Sequence, residues 1–235
     1  MQKIMRALIV ATSHDRLGDT GKPTGFYWEE LATPYRVFRE AGFEVDIASI
    51  RGGEPAADPK SEPSAEEPLP DVVAFKKDEA AMGKLRRAPS VQEVVAADYD
   101  VVFLAGGHGA VWDMPGDPAL AALLGDVHAR GGVVSAVCHG PAGLVGAKGT
   151  DGAPLVAGKR VAGFTNEEET AVGLTEVVPF LLETRLGELG AFFEPGPAFK
   201  PKVVRDGRLV TGQNPMSSEA TAERAVEAAR DTVGR

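Results

Sequence analysis

The chain has 235 residues, 43% hydrophobic and 25% charged, with a formal net charge of −9 and one cysteine. That length fits one domain of the larger α/β kind, and the acidic balance argues against nucleic acid or an anionic membrane as partner, since both select basic surfaces. A single cysteine leaves no internal disulfide to staple the fold.

The first apolar run, "RALIVAT" (6–12), is too short for a secretory core and lacks a small-residue cleavage site. No segment approaches the ~18 apolar residues of a membrane span, so a cytoplasmic location is expected. Further short apolar runs are "FEVDIAS" (43–49), "DVVFLAGG" (100–107), "GVVSAVC" (132–138), "RVAGFT" (160–165) and "RLVTGQN" (208–214). The near-continuous ones read as strands buried on both faces of a parallel sheet. Helical spacing runs through 25–42, which stops at Gly42. It recurs in 117–131, opened by Asp117 as N-cap and Pro118, and in 177–190 and 217–234. Asp206-Gly207, between two apolar runs, predicts a hairpin at one edge. The alternation predicts an α/β fold with a doubly wound, mostly parallel sheet flanked by helices, a flavodoxin-like sandwich. Residues 51–70 are rich in Pro, Glu and Ala and read as a solvated loop, with one or two amphipathic helices after them. Together they make an insertion at about 51–97 in a single domain spanning 1–235, placed where it can cover a site.

Ligand sites in open α/β sheets lie at the carboxyl ends of the strands, and four segments converge there. Cys138 ends the fourth run and precedes a helix expected to begin at Pro141. A tight strand-to-helix turn lifts such a residue above the sheet as a nucleophile elbow, although the G-x-S-x-G spelling is absent. Amides of the helix after it are expected to favour the thiolate. Gly106 and Gly107 free the backbone to aim amides at a developing oxyanion. They are read, with His108 and Trp112, as the oxyanion and substrate-binding side. Glu30, in the first turn of the first helix, faces the same cleft, where apolar surroundings would raise its pKa and suit it to proton transfer. One of Glu167, Glu168 and Glu169 is expected to orient the His139 imidazole. Of the four histidines (His14, His108, His128 and His139), His128 reads as a surface residue, and no metal site is expected.

These segments together resemble the ThiJ/PfpI superfamily, whose fold is of the class I glutamine-amidotransferase type. Within it the chain is most similar to the heat-shock chaperone and glutathione-independent glyoxalase (glyoxalase III) branch. The resemblance rests on "KPTGFYWEELATPY", "AGGHGAVWDMP", "GGVVSAVCHGPAGL", "LVAGKRVAGFTNEEET" and "GRLVTGQNP", and it covers essentially the whole chain. It implies Cys138 as nucleophile, Glu30 as the acid contacting it, His139 and Glu169 as triad partners, and the Gly107 and His139 amides as oxyanion donors. It also implies conversion of methylglyoxal, a small 2-oxoaldehyde, to D-lactate without glutathione, metal or other cofactor, and a homodimer. The same motif occurs in relatives described as peptidases, deglycases, chaperones and redox sensors. A small pocket roofed by Phe26, Tyr27, Trp28 and Trp112 favours the small substrate.

Overall fold

Eight strands occur in chain order among residues 4–231, the part that the computed structural model describes. They are β1 (Arg6–Ala11), β2 (Glu44–Ser49), β3 (Val101–Leu104), β4 (Val133–Val137), β5 (Arg160–Val161), β6 (Phe192–Phe193), β7 (Val203–Asp206) and β8 (Leu209–Gly212). Six of them build one sheet in the order β2-β1-β3-β4-β8-β7. The first four strands and β8 run parallel, and β7 closes the edge antiparallel through Asp206-Gly207, as the hairpin signal predicts. Every residue of β3, β4 and β8 is buried. Successive side chains of a strand point to opposite faces, so both faces of the sheet centre are covered.

The covering helices are amphipathic where the spacing predicts them. Helix α1 (Trp28–Glu40) ends at Ala41, and Gly42 takes the left-handed conformation after it. α5 (Pro118–Ala129) is capped by the Asp117 carboxylate on the Leu120 amide, and α8 is Ser218–Arg230. The last residues of the helix expected over 217–234 lie outside the described part. α1 packs on α8 and on β1 and β2, α8 on β4 and β8, and α5 on β3 and β4. Ile9, Phe103 and Leu104 are fully buried at the middle of this arrangement. Truncating Phe103 to alanine would cost about 3–5 kcal/mol by loss of burial and the cavity left behind.

Three expectations need correction. Residues 160–165 do not form a core strand. Only β5 is extended, and it pairs with β6 away from the main sheet. Beyond it the chain turns across the end of β4, with Ala162 donating to Thr211 Oγ1 and Phe164 donating to the Cys138 carbonyl. The helix expected over 177–190 is confined to α7 (Leu182–Glu188). The loop 51–70 is not simply solvated. Phe26 donates to the Ala56 carbonyl, Asp58 donates back to Phe26, and the Thr24 hydroxyl bonds the buried Asp58 carboxylate at 2.8 Å. Gly25 leaves no room for a side chain here, since a Cβ would lie 2.0 Å from the Ala56 oxygen. The insertion, which continues through α2 (Pro70–Lys77) and α3 (Glu79–Arg86), is thus fastened along the segment leading into α1.

Candidate active site

The carboxyl ends of β1, β3 and β4 meet the start of α1, and Cys138 stands there. Its φ is +58°, a left-handed conformation that costs a non-glycine residue strain and is one mark of a nucleophile elbow. The amide of Cys138 donates to Gly212 and its carbonyl accepts from Phe164, so neighbouring segments hold the turn. Gly140 allows it to pack down, because a Cβ there would lie 2.3 Å from the Leu104 oxygen. The chain continues as a 3-10 helix of five residues, Gly140–Leu144, not the α-helix expected from Pro141.

The thiol is buried, at 4% exposure. The amides of Gly107 and His139 point at the sulfur and favour the anion. Burial outweighs them and pushes the thiol up. The amides act in the direction expected of the strand-to-helix turn, but one short 3-10 turn does not offset so dry a pocket.

Glu30 is fully buried. Its Oε2 accepts from the Gly106 amide at 2.7 Å, and the carboxyl also meets the Cys138 thiol. Burial with no cation nearby pushes this carboxyl well above its ordinary range and favours its protonated form. The direction is the one expected from the sequence. Gly106, expected among the oxyanion residues, instead uses its amide to orient Glu30. A Cβ at Gly106 would meet Glu30 Oε2 at 2.5 Å and the His139 amide at 2.7 Å, so only glycine lets these groups approach.

On the other side of the sulfur, His139 Nδ1 lies 3.4 Å from Cys138 Sγ and Nε2 lies 2.7 Å from Glu169 Oε2. A carboxylate can only accept, so Nε2 carries the hydrogen and Nδ1 is free to take a proton from the thiol. Burial and the neighbouring His108 lower the pKa of His139, which keeps it neutral. Burial works to raise Glu169, but His108 and His139 outweigh it and bring the carboxyl down to about 2.

His108, expected on the substrate side, bonds Glu169 Oε1 through its Nε2 at 2.9 Å, and its ring lies 4.2 Å from that of His139. Glu169 thus serves two imidazoles. Trp112, on the short helix α4 (Ala110–Asp113), stacks on His14 at 5.0 Å, so the structure groups it with the loop after β1. His128 lies half-buried on α5.

Of the three candidate acids, Glu168 is excluded by a capping box at the start of α6 (Asn166–Ala171). Its amide bonds Thr165 Oγ1 while its Oε2 accepts from the Thr165 amide. The sequence T-N-E-E carries this signature, which points Glu168 back at the helix start; Glu167 is exposed, and Glu169 faces His139. Any cation here would be held by His108, His139 and Glu169, whose ligand atoms lie within 4.8 Å of one another. The hydrogen bonds just described already account for their grouping.

Residues 24–228 match the DJ-1/PfpI family. The chain belongs to that family. A DJ-1/PfpI relative, a glutathione-independent glyoxalase of Schizosaccharomyces pombe, is 35% identical over 233 residues, covering 94% of this chain and 96% of the relative. Among solved DJ-1/PfpI-type structures, a rapid encystment protein of Francisella tularensis superposes with a TM-score of 0.91 at 34% identity, covering 96% of this chain and 99% of that one. The glyoxalase III of Candida albicans gives 0.86 at 31% identity, covering 95% and 97%.

Proposed function

We propose that this protein is a glutathione-independent glyoxalase that converts methylglyoxal or a related 2-oxoaldehyde to a 2-hydroxy acid on Cys138. The observation that carries the reading is the buried Glu30 carboxyl, pushed well above the ordinary carboxylate range and set against the Cys138 thiol, whose other neighbour is the His139 imidazole. A hydrolytic triad needs a nucleophile, a base and amides for the oxyanion. Isomerising a dicarbonyl needs a second proton carrier on the substrate as well, and Glu30 supplies it.

The geometry supports the following steps. The sulfur adds to the aldehyde carbon while His139 Nδ1 takes the thiol proton. The Gly107 and His139 amides stabilise the developing oxyanion, which receives that proton back to give a hemithioacetal. His139 then removes the hydrogen on the former aldehyde carbon as Glu30 protonates the neighbouring ketone oxygen, giving an enediol. His139 returns its proton to the second carbon and Glu30 recovers one from the hydroxyl on the first, leaving a thioester of the 2-hydroxy acid. Hydrogen has moved from one carbon to the next, and no oxidant is needed. Water adds to the thioester, the carbon–sulfur bond breaks, sulfur regains its proton and the acid departs. Glu169, held anionic, stabilises the His139 cation each time it forms.

The test is lactate formation from methylglyoxal without glutathione, in the wild type and in Cys138→Ala, Glu30→Gln and His139→Asn. Equal rates for wild type and Cys138→Ala would sink the proposal. Cleavage of peptide or casein substrates with no methylglyoxal turnover would replace it with a hydrolase. We further propose that residues 1–235 act as one domain with 51–97 as its insertion, and that the protein is a homodimer, which light scattering measures directly. No helix among the described residues is long and apolar enough to cross a membrane. A single thiol that must stay reduced to act suits the cytoplasm.

A further inference from the structure

Besides Leu69 and Cys138, one other non-glycine residue among those described has a left-handed backbone: Phe199, at φ +54°. A bulky side chain seldom adopts this conformation, and it persists only where surrounding structure imposes it. Here the imposition is visible. The Phe199 amide donates to Glu168 Oε1 at 2.8 Å, Asn214 holds the Lys200 carbonyl at 2.8 Å, and Gln213 Oε1 accepts from the Gly196 amide at 2.7 Å. Glu168, Gln213 and Asn214 are all fully buried. This buried network fixes a loop whose tip presents an aromatic ring that is 38% exposed.

That ring is not isolated from the chemistry. Phe199 meets Phe164 edge-on at 6.4 Å, and Phe164 lies 4.4 Å from the His139 ring and 5.9 Å from that of His108. The first turn of α6 therefore does two tasks with consecutive residues: Glu169 holds the imidazoles and Glu168 holds the strained phenylalanine. The rings of His139, Phe164 and Phe199 make a continuous aromatic run from the buried base to solvent.

Resting on the glyoxalase reading of Cys138, we propose that Phe199 is a specificity-determining residue, the outer apolar wall against which the substituent of the 2-oxoaldehyde packs. The substrate class it selects is 2-oxoaldehydes with a large apolar or aromatic substituent, in preference to the methyl compound.

The experiment compares kcat/KM for phenylglyoxal and methylglyoxal in the wild type, Phe199→Gly and Phe199→Tyr. Glycine adopts φ +54° freely, so that variant removes the ring without disturbing the loop, and tyrosine restores it. In Phe199→Gly the loss on phenylglyoxal is expected to exceed that on methylglyoxal by about tenfold, through KM, as for an apolar contact removed from a pocket. Phe199→Tyr is expected to regain the wild-type ratio. A ratio within about twofold of wild type in Phe199→Gly, or equal losses on both substrates, overturns the proposal and leaves the glyoxalase reading standing. A wild type that turns over neither compound overturns both.

Discussion

Two carboxyl groups flank the Cys138–His139 pair, both buried, and their surroundings give them opposite charge states. Glu169 has an imidazole on each oxygen and is held at about 2. Glu30 has one backbone amide, the Cys138 thiol and no cation, and is pushed well up. Burial alone raises both. The partners decide the outcome, and a site with one fixed anion and one fixed acid can supply charge stabilisation and a proton from the same residue type.

The largest way to break this comparison is to remove what both acids serve. Cys138→Ser is expected to lower lactate formation by more than about 10³-fold. Glu30→Gln preserves shape but cannot exchange a proton, and is expected to lower kcat by roughly 10²- to 10⁴-fold. In the same variant the alkylation of Cys138 by iodoacetamide sharpens the picture. Burial pushes the thiol up, and a Glu30 carboxyl that keeps its proton adds no negative charge beside it, so Glu30→Gln is expected to leave the pH midpoint of alkylation within about one pH unit of wild type. A large downward shift would show that Glu30 is ionised next to the thiol. Glu169→Gln removes the fixed anion and is expected to cost roughly 10- to 100-fold in kcat by leaving His139 with the wrong tautomer. His108→Asn retains a donor to Glu169 and is expected to cost only about twofold to fivefold.

Stability gives the smallest effect and separates the two acids by sign. A carboxyl raised in the folded state binds more protons there than when unfolded, so Glu30 makes the protein less stable as pH climbs above about 4.5. The melting temperature of Glu30→Gln is expected to gain on wild type over that range. Glu169, depressed in the folded state, contributes stability above its unfolded pKa and loses it as pH falls toward 2. Glu169→Gln is therefore expected to lose its deficit relative to wild type in acid. A Glu30→Gln protein whose melting curve tracks wild type from about pH 5 to 9 would show that the carboxyl is not held protonated.

The sheet, the hairpin and the place of Cys138 at the end of β4 were legible because strand runs, Asp-Gly and a cysteine at a strand end are local signals. The partner of His139 was half legible, since the capping box T-N-E-E removes Glu168 but leaves Glu167 beside Glu169. The direction of the Cys138 shift was not legible, because it depends on how dry the pocket is and on the approach of Glu30 through Gly106, neither of which local sequence encodes. The second imidazole at Glu169 stayed hidden for a similar reason. "GGHG" announces a flexible turn, but not where its side chain lands. "RVAGFT" has the composition of a strand, yet its Phe164 amide is engaged by Cys138, a tertiary contact that overrides propensity. Phe199 sits in "PGPAFKP", which carries no signal beyond loop.

The fastening of the insertion to residues 24–27 bears on how the chain can vary in length. Surface loops ordinarily absorb added or deleted residues at little cost. Here Gly25 lies against Ala56 on one side and against Gly107 on the other, where a Cβ would meet the Gly25 oxygen at 2.3 Å. The loop, the start of α1 and the oxyanion turn are stacked three deep without slack. A deletion among the exposed residues 64–68 leaves that stack alone. The same deletion at 55–58 draws Phe26 out of register and moves Glu30 with it, so the spacing from Pro55 to Asp58 is as much a part of the active site as any side chain in it.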